Sequence, residues 1–292
     1  KKKEERPHSK EFLMFQTFKL AYRNIGRNKT RSLLSSIAVA GGMALLLLMV
    51  SVMEGEMRGA LANTIRLQSG HLQIRPMSYE EGKISLKWDD LIAEPEAVAQ
   101  TIKTLPEVIT ATPRLIASGI LSLKNESKGV QIIGIDPTSD ANLPFREGLL
   151  TGEFIHPDDR EGIMIGNTLA EKLKLAVGDG VNLLVNTSNG DIDEQLFTVR
   201  GIFTTRTPGF DELNVLMPIS KAQAFTVTEN HASTIFVLLQ KNEQAEPVAR
   251  AARRFPPATG KAAAAAAAWV AMAATAVLRA MAPMAAVAAA AC

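Results

Sequence analysis

Ser32–Met53 reads SLLSSIAVAGGMALLLLMVSVM, with no charged side chain between Arg31 and Glu54. At 1.5 Å of rise per residue, a helix of about 22 residues spans roughly 30 Å, the hydrocarbon thickness of a bilayer. Lipid offers a backbone no hydrogen-bond partners, and a single helix satisfies its own N–H and C=O groups. The run is therefore predicted to be a transmembrane helix. Gly41 and Gly42, in mid-span, would let a second helix approach closely. A cleavable signal peptide fits less well, because its apolar region is usually about 7 to 15 residues long. Ser51–Glu56 also offers no small-x-small cleavage site.

The flanks set an orientation. Residues 1–31 carry ten basic and three acidic side chains, whereas residues 54–260 carry 20 basic and 27 acidic ones. The positive-inside rule places the N-terminus in the cytoplasm and everything after Glu54 outside. The acidic balance of the external part argues against nucleic acid as a partner. Cys292 is the one cysteine, so no intrachain disulfide is available and the external domain must be held by its own core.

On the cytoplasmic side, Phe12, Phe15, Tyr22 and Ile25 recur at helical spacing among Lys19, Arg23 and Arg27. This segment is expected to form a basic amphipathic helix lying in the membrane interface. Beyond the bilayer, Leu46, Val50, Met53, Met57, Leu61 and Thr64 keep a spacing of three or four. One helix is thus predicted to continue as a stalk with an apolar side. Such a stripe packs against protein or against a lipid-like ligand, and flexible methionines suit the second use.

The external region, residues 54–260, reads as mixed α and β. Strands are predicted at 71–75, 115–123, 129–135, 162–166, 181–185, 195–204, 214–217 and 233–239. Helices are predicted from Glu94 to Leu105, Asn167 to Ala176, Ser220 to Thr226 and Glu246 to Phe255. From Ala262 the chain is mostly alanine. Residues 261–292 are expected to hold a further transmembrane helix or helices.

Chemistry-bearing constellations do not emerge. His8, His71, His156 and His231 are scattered, without H-E-x-x-H or paired-cysteine spacing. His156-Pro-Asp-Asp-Arg160 reads as a turn, and Asp191-Ile-Asp193 is too short for a calcium loop. Neither a G-x-S-x-G elbow nor a phosphate-binding G-x-x-x-x-G-K-[ST] loop is present. The expectation is a chain without catalytic, cofactor or metal residues.

An ordered series of short motifs carries a resemblance. Leu20-Ala-Tyr-Arg-Asn-Ile-Gly-Arg-Asn28 precedes the membrane helix. Gly70–Ile74, Pro113-Arg-Leu115, Gly134-Ile-Asp-Pro137, Gly162–Leu173, Val177-Gly-Asp179, Val199–Phe203 and Phe210-Asp-Glu212 follow, then Met217-Pro218 and Ala222-Gln223. Over about residues 16–240 this order resembles the MacB/FtsX-like permeases of ABC transporters, and most closely their lipoprotein-releasing LolC/LolE branch.

The resemblance implies four transmembrane helices, with a large periplasmic domain of two small α/β lobes between the first and second. It implies a separate ATPase that binds ATP and Mg in the cytoplasm, and a second permease copy or homologue in the inner membrane. In the lipoprotein-releasing branch, acyl chains enter a cavity between the first helices of two permeases. Leu46, Val50, Met53, Met57 and Leu61 would then contact the substrate. Val277-Leu-Arg-Ala-Met281 resembles the cytoplasmic segment that meets the ATPase. Residues 262–274 would span only about 20 Å as a helix, so the C-terminal membrane region is incomplete by that pattern. The fold expected is membrane α-helical plus an external α/β (α+β) domain. Other branches imply export of peptides or drugs with a membrane-fusion partner, or regulation of a cell-wall hydrolase. A periplasmic lipoprotein carrier is the partner implied by the lipoprotein branch. A membrane-anchored enzyme is the alternative from a different class.

Overall fold

A computed structural model describes residues 17, 19, 29–76, 78–123, 126–241, 244–252 and 269–271. The chain divides into two compact units, Lys1–Ala60 and Leu61–Cys292. Helix α1, Lys29–Thr64, is continuous, with no break where the charges begin at Glu54. It is the one helix, among the described residues, long and apolar enough to cross a membrane. Its apolar side chains, among them Leu34, Val39, Leu45 and Met49, are exposed on every side. The interfacial helix expected before Lys29 lies almost wholly outside the described residues.

In the second unit, α1 ends in a π-helical turn, Ile65–Ser69. Then follow β1 (Leu72–Arg75), β2 (Ile92–Ala93), α2 (Pro95–Lys103), β3 (Val108–Leu123), β4 (Glu126–Ile135) and α3 (Leu143–Glu147). The chain continues through β5 (Leu149–Gly152), β6 (Gly162–Gly166), α4 (Asn167–Leu173), β7 (Gly180–Asn186) and β8 (Ile192–Phe203). It proceeds with α5 (Pro208–Leu213), β9 (Asn214–Pro218), α6 (Ile219–Thr226), β10 (His231–Ala232), β11 (Thr234–Leu239), α7 (Ala245–Ala252) and β12 (Trp269–Ala271).

Two packed regions share the long strand β3. Its first half, Val108–Arg114, pairs with β11, which pairs in turn with β1. Here Leu72, Ile74, Ala111, Ile235 and Val237 pack against Ile102 of α2 and Val248 of α7. Its second half, Leu115–Leu123, pairs with β4 on one side and, over Gly119–Ser122, with β7 on the other. The pairings β4 with β9, β9 with β6, β6 with β8 and β8 with β7 close a six-stranded ring. Closure removes free edges from those strands.

The period of two along a strand sorts side chains to the two faces of the ring. Ile132, Ile163, Ile165, Val215 and Met217 point into it, where Phe225 of α6 meets Phe197 edge-on at 5.3 Å. Their neighbours Ile133, Met164 and Leu216 fill an outer layer with Phe145, Phe203 and Phe210. Both faces of β6 and β9 are covered, which is why every residue of either strand is buried.

The predicted strands and helices of the external region form within a few residues of their expected bounds, and β2, β5, β10, α3 and α5 form besides; three further departures stand out. Strand β3 begins at Val108 rather than 115, because Pro113 lies where the strand pairs with β11 alone and its missing N–H breaks no second ladder. Helix α4 stops at Leu173, where Lys174 takes a left-handed conformation (φ 53°). Trp269–Ala271, expected within a helical tail, instead adds to the open edge of β1 as an antiparallel strand. The rest of the alanine-rich tail lies outside the described residues.

Candidate functional site

The foot of α1 is built into the second unit. Gly70, at φ 64°, ends the π turn and returns its N–H to the carbonyl of Ile65 at 2.8 Å. A side chain there would meet the carbonyl of Val237 at 2.7 Å, so glycine is required twice over. The turn rotates Leu67 into the outer layer, where it is 4% exposed beside Ile133 and Phe145. The Asn63 amide donates to Thr207 Oγ1 at 3.4 Å, and Gln73 Nε2 to the Gln68 carbonyl at 2.7 Å. Arg66 and Glu147, 3.9 Å apart and largely exposed, add little.

Arg114 holds this foot from within. It is 2% exposed, and its guanidinium donates to the Leu67 carbonyl at 2.5 Å and to Asn142 Oδ1 at 3.0 Å. It lies 3.7 Å from the centre of the Phe236 ring, a cation–π arrangement. Burial pulls the group down to about 9, so it stays charged at neutral pH. Asn142 in turn donates to the Asp136 carbonyl at 2.8 Å. The separate motifs Pro113-Arg-Leu115 and Gly134-Ile-Asp-Pro137 thereby meet at one joint.

The other motifs meet in the same way. Gly166 lies so close to the backbone of Asp211 that a Cβ would sit 2.0 Å from its carbonyl oxygen. The buried Asp211 carboxylate accepts from Thr204 Oγ1 at 2.9 Å and from the N–H and hydroxyl of Thr205 at 3.0 and 2.6 Å. Glu212 bridges Lys128 and Lys172, and the Lys128 ammonium followed by that of Lys172 holds its carboxyl down at about 2. The N–H of Val199 donates to the Asp179 carbonyl at 2.9 Å, joining the turn before β7 to β8. These residues join elements to one another. Among the described residues no group of three or more His, Cys, Asp or Glu side chains could hold a metal ion.

A cavity of about 380 Å³ opens beside the foot. Gln73, Arg75, Arg114, Gln131 and Thr234 line its sheet side, and the loop Ser78–Ser85 with Asp90 forms its rim. The Arg75 guanidinium covers the Tyr79 ring at 3.9 Å. Asp90 accepts from Ser85 Oγ at 2.6 Å, and the serine hydroxyls and then Lys83 and Lys87 keep its carboxyl below the usual range.

Leu46, Val50, Met53 and Met57 follow one another at i, i+4, i+7 and i+11 of α1 and so share a face. They are 62, 48, 51 and 47% exposed. The side chain of Leu61 lies outside the described residues, as does the whole of Val277, Leu278, Arg279, Ala280 and Met281. The histidines stay apart. His71 accepts the Leu239 N–H on Nδ1 at 3.0 Å, and burial lowers its pKa. His231 packs on Trp88 with 4.4 Å between ring centres. His156 sits 3.8 Å from Asp158 in the expected turn. Sequence reasoning missed Arg114 as a single residue; the signal was a basic side chain inside a long apolar β run, where an arginine must be partnered.

The chain matches the family model described as the MacB-like periplasmic core domain over residues 32–255. Over 196 residues it is 23% identical to the lipoprotein-releasing system transmembrane protein LolE of Haemophilus influenzae, covering 65% of this chain and 45% of that protein. It therefore spans about half the length of that relative. Among solved structures, the periplasmic region of MacB from Actinobacillus actinomycetemcomitans is 15% identical with a TM-score of 0.49, covering 75% of this chain and 97% of that one. The extracellular domain of the noncanonic ABC-type transporter YknZ from Gram-positive bacteria is 16% identical with a TM-score of 0.44, covering 63% and 90%.

Proposed function

Because this chain belongs to the family of MacB-like periplasmic core domains, we propose that it is the non-catalytic permease subunit of an ABC transporter, anchored in a bacterial inner membrane. Lys1–Arg31 lie in the cytoplasm and the unit beyond Leu61 lies outside. A partner ATPase supplies ATP and Mg chemistry on the cytoplasmic side, and a second permease copy or homologue completes the membrane pair. Motion driven by the ATPase passes up α1 into the external domain. The substrate is a lipid-anchored protein or a similar lipid-like molecule, which the complex lifts from the membrane rather than passing through an aqueous channel.

One observation supports the coupling role above the rest: the last turns of α1 are held by Arg114, Gln73, Thr207 and the outer apolar layer. A helix end fixed at four places moves with the body it is fixed to. A flexible foot would dissipate the motion of the helix. Support for the substrate comes from the exposed face Leu46–Met57 and from the likeness to a lipoprotein-releasing protein.

Insertion of three glycines after Ala60 tests the reading. The complex, purified through a tag on this chain and placed in liposomes with a bacterial lipoprotein, should keep hydrolysing ATP while release falls more than tenfold. Release at the original rate would overturn the coupling role. Absence of a co-purifying ATPase would overturn the permease assignment itself.

A further inference from the structure

We propose that the cavity beside the foot of α1 binds an oxyanionic group, a carboxylate or a phosphate, that carries a hydrogen-bond donor close to it. Two arginines line this one cavity, Arg75 and Arg114. Among the described residues neither forms an ion pair with a carboxylate; their positive charge meets only one carbonyl, one amide oxygen and aromatic faces. A buried cation is costly unless a charge compensates it, and guanidinium forks match carboxylate and phosphate oxygens.

Unused hydrogen-bonding capacity points the same way. The Nε–H of Arg114 is buried and has no acceptor among the described residues. Gln73 Oε1, on β1 and separated from β3 by β11, is also buried and has no donor among the described residues. Buried polar groups are paired in more than nine cases of ten, so each orphan in a native fold calls for an explanation. A role limited to capping Leu67 and Asn142 would explain the two bonds Arg114 makes. It would not explain an orphan donor, an orphan acceptor and a second uncompensated arginine around one space.

The acidic residues of the rim do not fill that need. Glu80 pairs with Lys83 at 3.1 Å, and Asp90, which keeps its charge, accepts from the Ser85 hydroxyl and faces Lys83 and Lys87 rather than either arginine. Arg75, half-buried, thus offers donors at the wall of the cavity, and the unpaired Arg114 Nε–H and Gln73 Oε1 belong to buried residues that line it, a donor and an acceptor within reach of a small rearrangement. A peptide C-terminus, with a carboxylate next to an amide N–H, meets both demands, and so does a protonated phosphate. The volume of about 380 Å³ holds a group of that size with part of the molecule that bears it. This site is separate from the apolar face of α1 and does not depend on the transport reading.

The test uses the full chain in detergent, with acetate, N-acetylglycine and inorganic phosphate titrated by calorimetry. The arginine Nε–Hε resonances are followed by NMR, and that of Arg114 is assigned by its loss in Arg114→Lys. N-acetylglycine or phosphate should bind saturably, at least tenfold more tightly than acetate, and shift the Arg114 resonance. Arg75→Gln, a change at a half-buried position on the sheet side, should weaken binding at least tenfold, whereas Lys103→Gln, which removes a positive charge at the end of α2 outside the cavity lining, should leave it within threefold. N-acetylglycine alone would mark a peptide terminus as the source, and phosphate alone a phosphate-bearing ligand. Absence of saturation by all three probes up to about 10 mM, a range in which even weak specific sites fill, would overturn the proposal. Binding indifferent to Arg75→Gln would overturn it equally.

Discussion

The guanidinium of Arg114 donates to the carbonyl of Leu67 at 2.5 Å, joining positions 47 residues apart across the boundary between helix and sheet. Leu67 is in the π turn that ends α1, and Arg114 is in the strand common to both packed regions. The bond therefore connects the foot of the helix to the centre of the external domain.

Arg114→Met keeps volume and apolar packing but leaves the Leu67 carbonyl and Asn142 Oδ1 without their donor. Each stranded buried acceptor costs about 1 to 3 kcal/mol, so a loss of about 2 to 6 kcal/mol is expected in urea unfolding of the detergent-solubilised chain. A change below about 1 kcal/mol would mean that the joint is held without this bond.

Gly166→Ala drives a Cβ to 2.0 Å from the Asp211 carbonyl oxygen, which is backbone and cannot swing away. The separation of β6 from α5 would have to grow, at a cost of roughly 3 kcal/mol or more. Gly129→Ala is the control. Its added methyl meets nothing within 4 Å on an exposed stretch of β4, so stability should hold or rise by a few tenths of a kcal/mol.

Glu212 gives the fold an acid-sensitive contact. Its carboxyl lies at about 2 against an ordinary 4.5, first through the hydrogen bond from Lys128 and then through that from Lys172. A depressed carboxylate stabilises the fold above its unfolded value, and that contribution is lost as pH falls from about 4.5 towards 2. Glu212→Gln should flatten the stability profile in that window. An unchanged slope below pH 4.5 would assign acid lability to other groups.

Met53→Asp should stop substrate release while leaving insertion and ATPase association intact, because a charge near the edge of a span is tolerated better than one at its centre. If the Leu46–Met57 face instead packs against another permease helix, the same change would disassemble the complex. A photo-crosslinker at Met53 separates the two. Adducts with lipoprotein or lipid support substrate contact, and adducts confined to permease subunits refute it.

The sequence disclosed what local patterns can disclose. Gly162–Gly166 was legible because a short apolar run between turn residues has few other uses. Val108–Arg114 was not, since Pro113 and Arg114 look like the end of a strand until β11 is known to lie alongside. Strand β5 was hidden because Leu149–Gly152 is short and mostly exposed. Ring closure was out of reach for a different reason: the contact of Gly119 with Val185 leaves no local periodicity in either segment. The same holds for the Arg114 joint, whose three elements are distant in sequence.

The shared strand also has a consequence for how the protein is made. On a ribosome Val108–Leu123 emerges early, and β4 follows at once through the hairpin, but Val185 of β7 and Thr234 of β11 are still unsynthesised. Contacts of such high sequence separation form slowly, and an unpaired apolar strand is a hazard for aggregation while it waits. Nascent chains truncated before residue 234 should thus be protease-sensitive throughout Val108–Arg114, and protection should arrive in one step when β11 leaves the exit tunnel.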